Sequence, residues 1–175
     1  MAQPPHFDIN GSIYFITTKL SLKNRLFTED EANIVEETIL DLASRKEIMI
    51  YAYVIMPDHI HLLIKPINQG ISKTMQLLKG RASRRINIHR EAKASPTLHS
   101  SKRVILPSRG DFSRSTHVWQ KGFFDFVILT DKKFREKFNY IHYNPVKRGF
   151  VEKAEDYKYS SATGYKIKYG EIFYE

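Results

Sequence analysis

Hydrophobic positions along the chain switch between a period of two and a period near 3.6, and the switches mark out the elements. "GSIYFITTKL" (11–20) is β-branched and aromatic, which predicts a first strand. From Thr28 the period lengthens: Ala32, Val35, Ile39, Leu42 and Ala43 fall on one face of a helix over "TEDEANIVEETILDLASRK". Thr28 and Glu31 match a capping box at its start. "EIMIYAYVIM" and "HIHLLIKP" predict two strands joined by the turn "MPDH", a hairpin. "GISKTMQLLKGRASRRINIHR" sets Ile71, Met75, Leu78, Ala82 and Ile86 at helical spacing, with Gly80 as a weak point. Residues 91–121 hold no steady period and exceed an ordinary connection, which predicts an insertion or a mobile loop. "FFDFVILT" then predicts a last strand and "DKKFREKFNYIHYN" a last helix.

Strand, helix, strand, strand, helix, strand is the split βαβ, ferredoxin-like order of an α+β fold. It predicts an antiparallel sheet with helices packed on one face, plus an additional C-terminal helix that bears tyrosines. The domain is expected over 1–150, and 151–175 forms a basic, tyrosine-rich tail without a clear element. At 175 residues the chain suits one domain, and a chain of this size buries roughly 70% of its unfolded surface. The fold hosts many functions and selects none of them.

Composition narrows the field. The absence of cysteine excludes disulfides, thiolate zinc sites and a cysteine nucleophile. The N-terminus lacks a basic stretch followed by an apolar core, and the longest apolar run, "IMIYAYVIM", is far shorter than the roughly 20 residues of a membrane helix. A cytoplasmic protein without membrane contact is the expectation. A net charge of +9 and a pI near 9.6 suit a polyanionic partner, because phosphate contacts release counterions. No GxxxxGK[ST], HExxH or GxSxG motif is present.

In "MPDHIHLLI" (56–64), His59 and His61 are two apart in a predicted strand, so they project together while Ile60 and Leu62 face the other way. Two imidazoles on one face are half of a metal site. They are equally a pair of half-buried histidines satisfied by backbone carbonyls.

Three segments carry a family resemblance: "YVIMPDHIHLLI", "VWQKGFFDFVI" and "YIHYNPVKRGFV". With them the chain resembles the single-tyrosine HUH transposases of the insertion-sequence type, and more closely their REP-associated relatives. The resemblance implies DNA binding, DNA transposition and DNA recombination by an HUH endonuclease. Such an enzyme cleaves and rejoins single-stranded DNA at hairpin or palindromic sites through a 5′-phosphotyrosine. It also implies that His59 and His61 are metal ligands, that Tyr140 is the nucleophile and that Asn144 is a further ligand. The cofactor it implies is a divalent cation, Mg²⁺ or Mn²⁺, and imidazole ligands favour Mn²⁺ over Mg²⁺. Some family members carry Gln where Asn144 stands.

Helical geometry agrees with the choice of tyrosine. At roughly 100° per residue, Phe134, Phe138 and Ile141 form a buried stripe, and Tyr140 and Asn144 share one flank with Lys133 and Lys137. Tyr143 falls almost opposite the stripe, toward solvent, as the fallback nucleophile, and His142 lies beyond the other edge. "NPVKRG" can also open a helix, with Asn144 as N-cap and Pro145 at the first position. Since Pro145 disfavours helical conformation at Asn144, the last helix is expected to end or kink there.

Lys79, Arg81, Arg84, Arg85 and Arg90 crowd one helix and, together with Lys133 and Lys137, are candidate phosphate contacts; a solvated helix face is the plainer alternative. Trp119 is either a stacking platform for an unpaired base or a core anchor. The Tyr and Lys of "DYKYSSATGYKIKYG" suit single-stranded nucleic acid. Three rival functions stay open: a catalytically inert ferredoxin-like single-stranded nucleic-acid-binding protein, another HUH enzyme such as a replication initiator or relaxase, and a phosphodiesterase that uses water. A monomer and a homodimer are both compatible with the sequence.

Overall fold

A computed structural model describes residues 8–9, 11–21, 25–94 and 117–163. Its elements follow the predicted order: β1 (Ile13–Lys19), α1 (Glu29–Ser44), β2 (Ile48–Ile55), β3 (His59–Pro66), α2 (Ile71–Ala94), β4 (Phe124–Ile128) and α3 (Asp131–Lys147). Two short 3₁₀ turns follow at Ala154–Asp156 and Ser161–Thr163. The capping box is formed: Glu31 N–H donates to Thr28 Oγ1 and Thr28 N–H donates to Glu31 Oε2, each at 3.3 Å.

The strands make one antiparallel sheet in the order β2-β3-β1-β4, the ferredoxin-like arrangement. Strand alternation divides the core in two. Ile16, Ile60, Leu62 and Ile64 face α1 and α2, where Val35, Ile39, Leu42, Met75, Leu78 and Ile86 meet them. Phe15, Ala52, Val54 and Leu63 face the other way, toward Phe138 and Ile141 of α3. A bulge between Ile50 and Ala52 shifts the register of β2. It flips the alternation, so Ile48 and Ile50 join Tyr53 and Ile55 in the helix-side core.

Much of the positive charge of α2 is paired with acids of α1 and with Glu47 just after it. Arg81 pairs with Glu47 and Asp41, Arg85 with Glu37, and Arg90 Nε with the buried Glu31 at 2.7 Å. Lys79 donates from Nζ to the carbonyls of Gln120 and Gly122 at 2.7 and 2.6 Å, and burial holds its ammonium below the ordinary lysine range. Trp119 is only 6% exposed and meets Phe27 edge-on at 5.5 Å, so its ring belongs to the core.

The last helix departs from expectation. It runs through Pro145 to Lys147, three residues beyond the predicted stop. Pro145 cannot donate to the carbonyl four residues earlier, a loss of about 1 kcal/mol, but it stands close to the helix end. There the last turn is closed by Gly149 N–H to Val146 O at 2.9 Å and Phe150 N–H to Pro145 O at 3.0 Å. With Gly149 at φ +71°, these two bonds make a Schellman motif. "NPVKRG" therefore ends a helix and does not begin one, and Asn144 is not an N-cap.

The tail also departs from expectation as far as residue 163. Tyr159 O accepts from Ile55 N–H at 2.8 Å, Ser160 bridges to Val54, and Tyr53 N–H donates to Ser161 Oγ at 2.9 Å. The segment thus lies along the free edge of β2. It covers one flank of α3, which buries His142, a residue the helical wheel placed outside the apolar stripe. Residues 164–175 of the tail and 95–116 of the 91–121 segment lie outside the described residues.

Candidate active site

β3 is an inner strand, paired on both sides, and its α3-facing positions include His59 and His61. In β1 their cross-strand partners are Lys19 and Thr17. The turn before β3 is pinned by Met56 N–H to His59 O at 2.8 Å and by Leu20 N–H to Asp58 O at 2.9 Å. These bonds fix where Asp58 stands relative to His59.

Both rings are oriented from behind. Nδ1 of His59 lies 2.6 Å from Asp58 Oδ1, and Nδ1 of His61 lies 2.8 Å from Thr17 Oγ1. A carboxylate only accepts, so His59 carries its proton on Nδ1 and presents the Nε2 lone pair. The two Nε2 atoms converge to 3.1 Å. Burial pulls His59 below the usual histidine range, against the pull of Asp58. Burial, followed by repulsion from His59, takes His61 to about 3. Both imidazoles are therefore neutral at neutral pH, the form that binds metal.

The donor set fits a cation. Two imidazole–metal bonds of about 2.1 Å meeting near a right angle place the nitrogens about 3.0 Å apart, close to the separation found. Among the described residues no group of three or more His, Cys, Asp or Glu side chains forms a metal site, so a further ligand among them is of another kind. Asn144 is 5% exposed, and its Oδ1 is buried without a hydrogen-bond partner. A bare buried carbonyl oxygen on the helix that packs over this face of the sheet is a donor of that chemical kind, and Asn144 is not among the residues that line the cleft with the histidines.

Tyr140 reaches the same place from α3. Its ring stands 5.2 Å from His61 and 5.8 Å from Phe15, edge-on to both, and the residue is 41% exposed. Lys137 Nζ lies 5.7 Å from the Tyr140 ring and 5.0 Å from the Phe15 ring. An open cleft of about 480 Å³ joins His59, His61 and Tyr140 with Phe15, Thr17, Lys19, Phe124, Lys137 and Arg148. That volume suits a small organic ligand or a nucleotide.

The predicted site residues separate into two groups. His59, His61, Tyr140 and Lys137 meet in the cleft, whereas Tyr143 is exposed and does not line it. Lys133, on α3, pairs with Glu136 at 2.6 Å. The α2 cations sit on the opposite side of the sheet. Of them, Arg84 is exposed and shares a shallow groove with Arg45, Arg81 and Arg85.

Asp58, Thr17, Lys19, Phe124 and Arg148 join the site without having been singled out from the sequence. The acid directly before His59 and the shared parity of Phe15, Thr17 and Lys19 were available signals for three of them. Arg148 and Phe124 arrive through the helix end and the β4 register.

Comparison with known proteins places the chain. A family model described as "Transposase IS200 like" matches residues 10–104, a span that includes both histidines and stops before α3. A Haemophilus influenzae protein named as a REP-associated tyrosine transposase is 30% identical over 152 residues, covering 86% of this chain and 80% of the relative. The REP-associated tyrosine transposase of Escherichia coli is 21% identical over 161 residues, covering 92% and 82%. The solved structure of a REP-associated tyrosine transposase bound to a REP hairpin superposes with a TM-score of 0.69 at 20% identity, covering 92% of this chain and 82% of that one. That likeness establishes the shared fold. Among the described residues no helix is long and apolar enough to cross a membrane. By the family match and the extent of the Haemophilus alignment, the chain belongs to the IS200-like transposases.

Proposed function

We propose that the protein is a transposase that cleaves and rejoins single-stranded DNA through a covalent 5′-phosphotyrosine on Tyr140. The observation that carries this reading is the convergence of the two Nε2 atoms at 3.1 Å, with the Tyr140 ring 5.2 Å from His61 in one open cleft. His59, His61 and the orphaned Oδ1 of Asn144 would hold a divalent cation, Mn²⁺ or Mg²⁺. When bound, the cation supplies Lewis-acid stabilisation of charge on a non-bridging phosphate oxygen.

The remaining chemistry belongs to the chain. Lys19, Lys137 and Arg148 line the cleft and bind the phosphates on either side of the scissile bond. The Tyr140 oxygen attacks phosphorus, the bond to the 3′-oxygen breaks, and the departing 3′-hydroxyl takes up a proton as the tyrosine loses one. One phosphodiester replaces another, so a free 3′-hydroxyl can reverse the step and rejoin strands without ATP. By analogy with its hairpin-bound relative, the substrate is single-stranded DNA carrying a hairpin.

The test uses labelled single-stranded hairpins copied from DNA flanking the gene, mixed with Mn²⁺ and resolved on a denaturing gel. A covalent protein–DNA band is expected for wild type and Tyr143→Phe and not for Tyr140→Phe. Loss of the band only in Tyr143→Phe would transfer the nucleophile. Tight binding without any covalent band would favour an inert DNA binder.

A further inference from the structure

We propose that Phe124, with Phe126 beside it on the same face of β4, is a stacking platform for an unpaired base next to the phosphate held at the histidine pair. The inference rests on the single-stranded DNA reading above and adds a base subsite to it. Phe124 is 56% exposed and Phe126 38% exposed, and both lie on an edge strand of the sheet. Edge strands of soluble proteins are ordinarily guarded by charge or proline, so two bare phenyl rings on the site-facing side need an occupant.

Register shows what is near them. Phe124 pairs with Thr17, the residue that orients His61, and Phe126 pairs with Phe15. Phe124 lines the cleft that holds His59, His61 and Tyr140. Lys137 Nζ lies 5.9 Å from the Phe126 ring and 5.0 Å from that of Phe15. No aromatic or cationic partner is found for Phe124 among the described residues, which leaves its ring open to a ligand.

Charge identifies the occupant. Lys19, Lys137 and Arg148 line the same cleft as the Phe124 ring. Apolar ring faces set among cations match a nucleotide, which brings a flat π-surface and a phosphate together. A second copy of this chain would bring a net charge of +9 against those cations. Residues two apart in a strand are separated by about 7 Å, so the two rings span more than one base position. Stacking is tolerant of base identity, so the platform would hold the strand in place and leave sequence choice to other contacts.

The experiment measures binding of the full chain to a fluorescein-labelled single-stranded dT 12-mer and to an abasic 12-mer with the same phosphates. Anisotropy is read for wild type, Phe124→Ala, Phe124→Leu and Phe124→Trp. Wild type is expected to prefer dT. Phe124→Ala should weaken dT binding roughly 5- to 150-fold, the range of base–aromatic stacking, and leave the abasic affinity unchanged. Trp should restore the preference and Leu should not. Because the ring is more than half exposed, all three variants are expected to melt like wild type.

If Phe124→Ala weakens both oligonucleotides equally, or neither, the platform is refuted while the transposase reading stands. Wild type binding neither oligonucleotide would overturn both. A wild-type dimer in sedimentation that Phe124→Ala dissolves, with DNA affinity intact, would make the patch a protein interface instead.

Discussion

Asp58 Oδ1 lies 2.6 Å from Nδ1 of His59, and Arg148 Nη1 reaches the same oxygen at 3.7 Å. A carboxylate behind a ligating imidazole holds its tautomer and ring angle, and losing it typically costs about 10–100-fold in metal affinity. Asp58→Ala is therefore expected to weaken Mn²⁺ binding by that factor in calorimetric titration, and His59→Ala to abolish it. Wild-type affinity in His59→Ala would argue that the histidine pair holds no cation, and wild-type affinity in Asp58→Ala alone that the carboxylate does not tune it.

His142 makes stability depend on pH. Its Nε2 lies 2.7 Å from Ser161 Oγ, and burial lowers its pKa to about 4. The unfolded chain titrates near 6.5, so on acidification the unfolded state takes the proton first. Stability is whole above about pH 6.5, falls by up to about 1.4 kcal/mol per pH unit toward pH 4, and then levels off with respect to this group. His61, lowered to about 3, acts in the same direction. Urea midpoints should therefore drop for wild type between about pH 7 and pH 5, and drop less for His142→Phe. Equal drops in the two proteins would mean that His142 is protonated as readily folded as unfolded.

Two glycines should respond to alanine with opposite signs. Gly149 has φ +71° and open space around its Cα, so the strain of Gly149→Ala is purely backbone, about 1–2 kcal/mol. Gly80 lies within α2, where an added methyl would likewise meet open space, so Gly80→Ala should stabilise by roughly 0.5–1 kcal/mol. Chemical denaturation of the two variants checks both signs.

Cations of the cleft and cations of α2 should differ in their salt dependence. Removing one phosphate contact from single-stranded DNA lowers the slope of log affinity against log salt by about 0.7. Arg148→Gln and Lys137→Gln are each expected to show that reduction. Arg81→Gln should leave the slope unchanged and slightly lower the melting temperature, because Arg81 already pairs with Glu47 and Asp41. A reduced slope in Arg81→Gln would extend the DNA path onto the helical face.

Features set by spacing along one stretch of chain were legible in the sequence. A period of two placed His59 and His61 on one face of β3, and 100° steps put Tyr140, not Tyr143, beside the apolar stripe of α3. The capping box and the element order followed from the same local chemistry, and the order was enough for the ferredoxin-like sheet. These relations need no knowledge of which elements are neighbours.

Features that join distant stretches were decided by tertiary structure. Lys19 and Phe124 enter the cleft through the β1–β3 and β1–β4 registers, which the hydrophobic pattern alone does not specify. The arginines of α2 could be counted in the sequence, but their acidic partners on α1 meet them only when the two helices dock. Pro145 argued locally for a helix end, yet the turn through Gly149 closes the helix beyond it and brings Arg148 to the site. His142 became a core residue because residues 154–163 fold back over its flank, a contact made 19 positions away. Chain-local geometry thus determined which side chains share a face. Packing between elements determined which of those faces meet, and with them the cleft.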